Sequence, residues 1–223
     1  MARMPILAAG TAPTLVHTKD NHSNSPCGLK TKSQGEYKPL FMVMIKLVPF
    51  IQDDFHRLVE WINSLELLVQ WTGPYAFTFP LDMSQAEKYL RKGQGQNPKS
   101  RIYKAVDLDD KVVGHIELAT INCQNGTAII CRIFVAPDQR RKGICTQMLR
   151  AILYKGFIEL ELRRIELWVY AHNIGAIQCY EKIGFVKEGF LRKYQKIGDK
   201  YWDMVIMSIL KYEWASMIND YTA

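Results

Sequence analysis

The feature that most constrains this chain is one continuous stretch, Thr127 to Leu160. It opens with Ala128-Ile129-Ile130-Cys131-Arg132-Ile133-Phe134-Val135, apolar throughout except at Arg132. A short apolar run bounded by turn residues reads as a buried strand. Pro137 and Asp138 end it, and the basic turn Gln139-Arg140-Arg141-Lys142-Gly143 follows. From Thr146 the apolar residues Met148, Leu149, Ile152, Leu153 and Phe157 recur at helical spacing. Glycine at the turn lets backbone approach a ligand with no Cβ in the way. The free N–H groups of the helix start carry the positive end of the macrodipole. Such a place binds phosphate, and Arg140, Arg141 and Lys142 add charge around it. An exposed basic turn is the plainer alternative. Neither the Walker pattern nor the dinucleotide glycine pattern is present.

The rest of the chain frames this junction. Residues 1–41 are rich in Thr, Ser, Asn, Pro, Gly and Lys and show no periodicity, so a disordered N-terminal extension is expected there. A single domain is expected over 42–223. Ile45–Phe50 reads as a strand. Asp53 or Asp54 can cap a helix with Phe55, Leu58, Val59, Ile62 and Leu65 on one face. Ser84-Gln85-Ala86-Glu87 reads as a capping box opening a second helix. Strands are expected over Arg101–Asp107, Lys111–Ile121, Thr127–Val135 and Arg164–Tyr170. A helix is expected over Ile174–Ile183, then a hairpin of Phe185–Gln195 and Tyr201–Leu210. This order indicates an α+β (mixed α/β) sheet domain.

Composition excludes several classes. The net charge is +7, but residues 1–41 hold five Lys/Arg against Asp20 and Glu36, which leaves +4 for the remainder. No basic stripe interleaved with aromatics is present, which argues against nucleic acid. No run approaches the ~18 apolar residues of a membrane span. The five cysteines form no CxxC pair and offer no zinc spacing, so no metal is expected. Free thiols and a cytoplasmic location fit best.

The stretch Val135-Ala136-Pro137-Asp138-Gln139-Arg140-Arg141-Lys142-Gly143-Ile144-Cys145-Thr146 resembles the acetyl-CoA motif of the GNAT superfamily, Gln/Arg-x-x-Gly-x-Gly/Ala. Arg140, Gly143 and Cys145 occupy its positions, and Cys145 departs from the usual Gly or Ala. A second stretch, Asn173-Ile174-Gly175-Ala176-Ile177-Gln178-Cys179-Tyr180-Glu181-Lys182-Ile183-Gly184-Phe185, resembles the family's Asn-x-x-Ala-x-x-x-Tyr-x-x-x-Gly-Phe at the same distance downstream. The resemblance covers roughly residues 45–212. It implies a central, mostly antiparallel twisted sheet of six to seven strands flanked by about four helices. It also implies acetyl transfer from acetyl-CoA to a primary amine by direct attack in a ternary complex.

The same resemblance assigns the site. Arg140, Arg141, Lys142, Gly143, Ile144, Cys145 and Thr146 would cradle the pyrophosphate. Backbone N–H groups near Phe134 and Val135 would stabilise the oxyanion. Asn173 would contact the pantetheine or phosphate arm, or simply cap the helix it precedes. Tyr180 would protonate the leaving thiolate, or else pack beneath the sheet. Glu117 is the candidate base, with exposure on an alternating strand as its alternative; His115 points to the same face, and His172 is a further candidate. The aromatic stretch from Gln70 to Leu81 either overhangs the acceptor or packs in the core. Glu188-Gly189-Phe190-Leu191-Arg192 with Tyr201-Trp202-Asp203-Met204 resembles the branch that acetylates ribosomal-protein N-termini and small amines. The implied partners are acetyl-CoA and an amine acceptor: a ribosomal or other protein N-terminus, a polyamine or another small amine. A homodimer is left open.

Overall fold

The computed structural model describes residues 45–95 and 98–220; the extension expected over 1–41 lies outside them. Seven strands form one sheet: β1 (Lys46–Pro49), β2 (Arg101–Val106), β3 (Val112–Asn122), β4 (Thr127–Val135), β5 (Arg164–Tyr170), β6 (Val186–Ile197) and β7 (Lys200–Leu210). Their order is β1-β2-β3-β4-β5-β7-β6. β4 and β5 are parallel, joined by the helix between them, and every other neighbouring pair is antiparallel. The apolar run at 127–135 therefore lies at the centre of the sheet.

Among the described residues six α-helices accompany it, where about four were expected: α1 (Phe55–Trp61), α2 (Leu65–Thr72), α3 (Ala86–Leu90), α4 (Ile144–Tyr154), α5 (Ile174–Lys182) and α6 (Lys211–Asp220). The helix expected to carry Phe55 through Leu65 on one face is two helices. Ile62 leaves helical geometry (φ −107, ψ 80), and the Ser64 hydroxyl accepts from the Leu67 N–H at 3.2 Å and caps a new start. Leu65 is consequently exposed. At α3 the cap is Asp82, which accepts from the Ser84 N–H, so the first turn begins earlier than the Ser84 capping box indicated.

The helices divide between the two faces. Met148, Leu149, Ile152 and Leu153 of α4, Ile177 and Tyr180 of α5 and Trp214 of α6 share one core with Ile116, Ile130, Leu167 and Met207 of the sheet. On the other face Phe55, Leu58, Leu68, Trp71 and Tyr89 of α1–α3 pack on Ile102 and Phe134. α2 also reaches β5 and β7, where Val69 meets Tyr170 and Met204. Gly114 sets how closely α4 approaches, since a Cβ there would stand 2.6 Å from Met148 Sδ and 2.8 Å from the Phe134 carbonyl. Among the described residues no helix is long and apolar enough to cross a membrane. Cys131, Cys145 and Cys179 are free thiols. Cys123, in the turn after β3, is disulfide-bonded, contrary to the expectation for all five.

Candidate active site

The site begins where β4 and β5 separate. They pair from Thr127–Arg164 to Ile130–Leu167, and beyond this, among the described residues, β4 has no partner on its β5 side. Two local causes accompany the parting. Arg132 has φ 51, and the β3–β4 register slips between His115 and Glu117, so β4 carries a bulge that bends it away. The bulge is held by His115, whose Nδ1 lies 2.9 Å from the Arg132 carbonyl. Past the bulge, Ala136 N–H donates to the Val113 carbonyl at 2.9 Å. Alternation along the strand then turns the Val135 N–H toward the opening and the Phe134 N–H toward β3. Of the two expected oxyanion donors, only Val135 faces the parting.

The basic turn follows at the same end. Pro137–Gln139 make a short 3-10 turn, and Arg141 (φ 64) and Gly143 (φ 76) take left-handed backbone before α4 starts at Ile144. This conformation suits glycine. A Cβ at Gly143 would meet nothing within 4 Å, so conformation and whatever lies outside select glycine here, not packing. Ile144 is buried and anchors the helix start, whereas Arg140, Arg141, Lys142 and Gly143 are exposed and Cys145 and Thr146 half-buried. The Arg140 guanidinium sits 5.4 Å over the Phe134 ring. That ring stacks on Trp61 at 5.8 Å.

Across the opening, Asn173 caps α5: its side chain accepts from the Ala176 N–H at 3.3 Å. Tyr180, on the buried side of α5, packs near Phe185. Burial, with Cys145 and Cys179 beside it, holds its phenol well above the ordinary range. It therefore keeps its proton through neutral pH, the state a general acid starts from.

Glu117 is buried, not exposed, which removes the alternating-strand alternative. Its Oε2 accepts from the Arg132 Nη1–H at 2.7 Å and the Tyr89 hydroxyl at 2.8 Å. The Tyr89 oxygen also lies 3.1 Å from His115 Nε2. Burial drives the His115 imidazole down to about 4, so it is neutral near pH 7 and carries one ring proton. Giving that proton to the Arg132 carbonyl leaves Nε2 able only to accept. The single Tyr89 proton then goes to the nearer acceptor, Glu117 Oε2. Glu117 Oε1 and Arg132 Nε are buried without a hydrogen-bond partner. Both residues line a cavity of about 520 Å³ with Lys92, Lys99, Ala119 and Thr120.

The structure thus brings the turn 140–146, Val135, Asn173 and Tyr180 around the parting. Glu117 packs with His115 and Tyr89 on the opposite face of the sheet from Tyr180. His172 is exposed and stacks on Tyr170. Of the two alternatives for the aromatic stretch, core packing is seen at Trp71 and Phe77, which stack at 5.5 Å, while Tyr75 is exposed. Two neighbours of these residues were not singled out in the sequence: Tyr89, beside Glu117 and His115, and Trp61, stacked on Phe134. Arg132 was, as the single charge in an apolar strand.

The sheet is thus mostly antiparallel, and its one parallel pair parts beside a glycine-turned helix start. Residues 65–185 match the acetyltransferase (GNAT) family, and the chain belongs to it. It is 33% identical over 109 residues to the SPbeta prophage-derived uncharacterized N-acetyltransferase YokL of Bacillus subtilis, covering 49% of this chain and 61% of that protein's length. It is 30% identical over 138 residues to the spermidine N(1)-acetyltransferase of Vibrio cholerae, covering 61% of this chain and 79% of that one. The crystal structure of spermidine N-acetyltransferase from Vibrio cholerae in complex with CoA and spermine superposes with TM-score 0.68 at 26% identity, over 77% of this chain and 98% of that one.

Proposed function

We propose that the protein transfers the acetyl group of acetyl-CoA to a primary amine. The observation that carries this reading is the parting of β4 and β5 with Val135 N–H on its edge and the left-handed Gly143 turn at its end. Pantetheine fits that edge as an added strand, and the thioester carbonyl would accept from Val135 N–H. Such a preplaced donor contributes about 2.7–4 kcal/mol to acyl transfer. Arg140, Arg141, Lys142 and the first N–H groups of α4 hold the pyrophosphate. Tyr180 protonates the departing thiolate. Glu117, through the unpartnered Oε1, takes the amine proton by way of a water in the cavity it lines.

A polyamine is the first acceptor class to assay, on the relatives' account. The cavity rim favours a second reading. Lys92 and Lys99 would repel a second ammonium, which suits an acceptor with one amine, such as a peptide N-terminus or a small monoamine. The test is release of free CoA from acetyl-CoA against spermidine, spermine, monoamines and peptides with free N-termini. Turnover with a monoamine or peptide above that with polyamines is expected. Binding of acetyl-CoA with no CoA release across the whole panel would overturn the enzymatic reading. Glu117→Gln should lower kcat by about 10²–10⁴ with the affinity for acetyl-CoA kept.

A further inference from the structure

The free thiols are not equivalent. Cys131 lies within β4, and burial pushes its thiol up to about 12. Cys145, in the first turn of α4, and Cys179, on α5 next to Tyr180, are half-buried, pack against the same core, and each is the foremost electrostatic neighbour of the other. The Thr146 hydroxyl lies 3.5 Å from Cys179 Sγ. Acetyl transfer by direct attack uses no enzyme nucleophile, so the proposed reaction gives neither sulfur a chemical step.

We propose that Cys145 and Cys179 form a redox-sensitive dithiol, a thiol-modification site that closes the acetyl-CoA cradle when oxidised. The closing effect rests on the reading of 140–146 as that cradle. The co-reactant is a low-molecular-weight disulfide, RS–SR. The Cys179 thiolate attacks one of its sulfurs; a Cys179–SR bond forms, the RS–SR bond breaks, and RS⁻ leaves and takes up a proton. Cys145 then gives up its proton and attacks the Cys179 sulfur. A Cys145–Cys179 bond forms and the second RSH departs. Two protein thiols are oxidised, one disulfide is reduced to two thiols, and excess external thiol reverses the sequence.

The surroundings divide the two roles. The shared hydrogen bond from Cys145, the Thr146 hydroxyl and the Lys182 charge bring Cys179 down to about 6 against the opposing effect of burial, while Cys145 is raised. One sulfur is thus the attacking thiolate and the other the resolving thiol. Drawing the two sulfurs together to about 2.05 Å pulls α5 against the first turn of α4, which Cys179 already meets at Thr146. Tyr180 moves with one partner and Ile144 to Thr146 with the other.

The full-length protein is treated with glutathione disulfide, and its cysteines are mapped by peptide mass spectrometry. A Cys145–Cys179 link is expected, with acetyl-CoA binding weakened about tenfold or more and restored by dithiothreitol. Cys179→Ser should keep its acetyl-CoA affinity through the same treatment, and Cys145→Ser should trap a single glutathione on Cys179. Mapping of the untreated and treated parent needs no variant, so a variant that fails to fold leaves the test intact. Cys145 and Cys179 remaining reduced while Cys131 or another cysteine reacts would overturn the proposal. So would a linked protein that binds acetyl-CoA as the reduced one does. If the reduced protein never binds acetyl-CoA, the cradle reading fails instead, whatever the mapping shows.

Discussion

At the scale of single residues, the two side chains proposed for proton transfer lie on opposite faces of one sheet. Tyr180 is enclosed beside α4, and Glu117 is enclosed beneath α3. Tyr180→Phe removes one oxygen and leaves the ring's packing on Phe185. Turnover should fall by about 10²–10⁴ while the dissociation constant of acetyl-CoA stays put; unchanged turnover would return Tyr180 to a packing role. His115 supplies a pH prediction. Its imidazole titrates near 4 when folded and near 6.5 in an unfolded chain. Between these values the unfolded chain binds a proton that the native protein does not, so stability is full above about pH 6.5 and falls as pH drops toward 4, by up to ~1.4 kcal/mol per pH unit. His115→Gln should flatten that acid limb in urea unfolding series run at pH 7 and pH 4.5. The Tyr180 position was legible because its motif spacing is fixed. The burial of Glu117 was not, because strand alternation gives a face but not what covers it, and Tyr89 arrives from a helix 28 residues away.

At the scale of elements, the strand at 127–135 was read to the residue, since an apolar run and a proline act locally, whereas the helix expected from Thr146 to Leu160 starts at Ile144 and gives way after Tyr154 to a π turn over Lys155–Glu159. The divided α1–α2 helix was not read. Its apolar spacing continues across Ile62 to Leu65, and only the Ser64 cap, a competing local bond, ends one helix and starts the next. The turn itself can be tested by bulk. At Gly143 a side chain meets open space but left-handed backbone, so Gly143→Ala should cost about 1–2 kcal/mol of stability and little affinity. Gly143→Trp should fold with a similar penalty yet weaken acetyl-CoA binding at least about tenfold in calorimetry. Equal affinities for the two variants would place the pyrophosphate elsewhere.

At the scale of the whole molecule, α2 joins the two halves of the sheet, with Leu68 and Trp71 on the side of Phe134 and Val69 on Tyr170 and Met204. α6 closes the other face through Trp214 against Phe157 at 5.4 Å. Neither arrangement was legible in the sequence, because both depend on contacts far apart along the chain. The bend at Arg132 has a further consequence. It leaves the Val135 amide facing a groove instead of a further hydrogen-bonded rung, so this stretch of the central strand should exchange its amide hydrogens with solvent as readily as an edge does. A bound pantetheine would act as the absent neighbour. Acetyl-CoA at a hundredfold excess over its Kd should therefore raise the unfolding free energy by about 2.7 kcal/mol and slow deuterium uptake at 133–135 specifically. Uptake slowed only on the outer turn would mean that the cofactor is held by its phosphates alone.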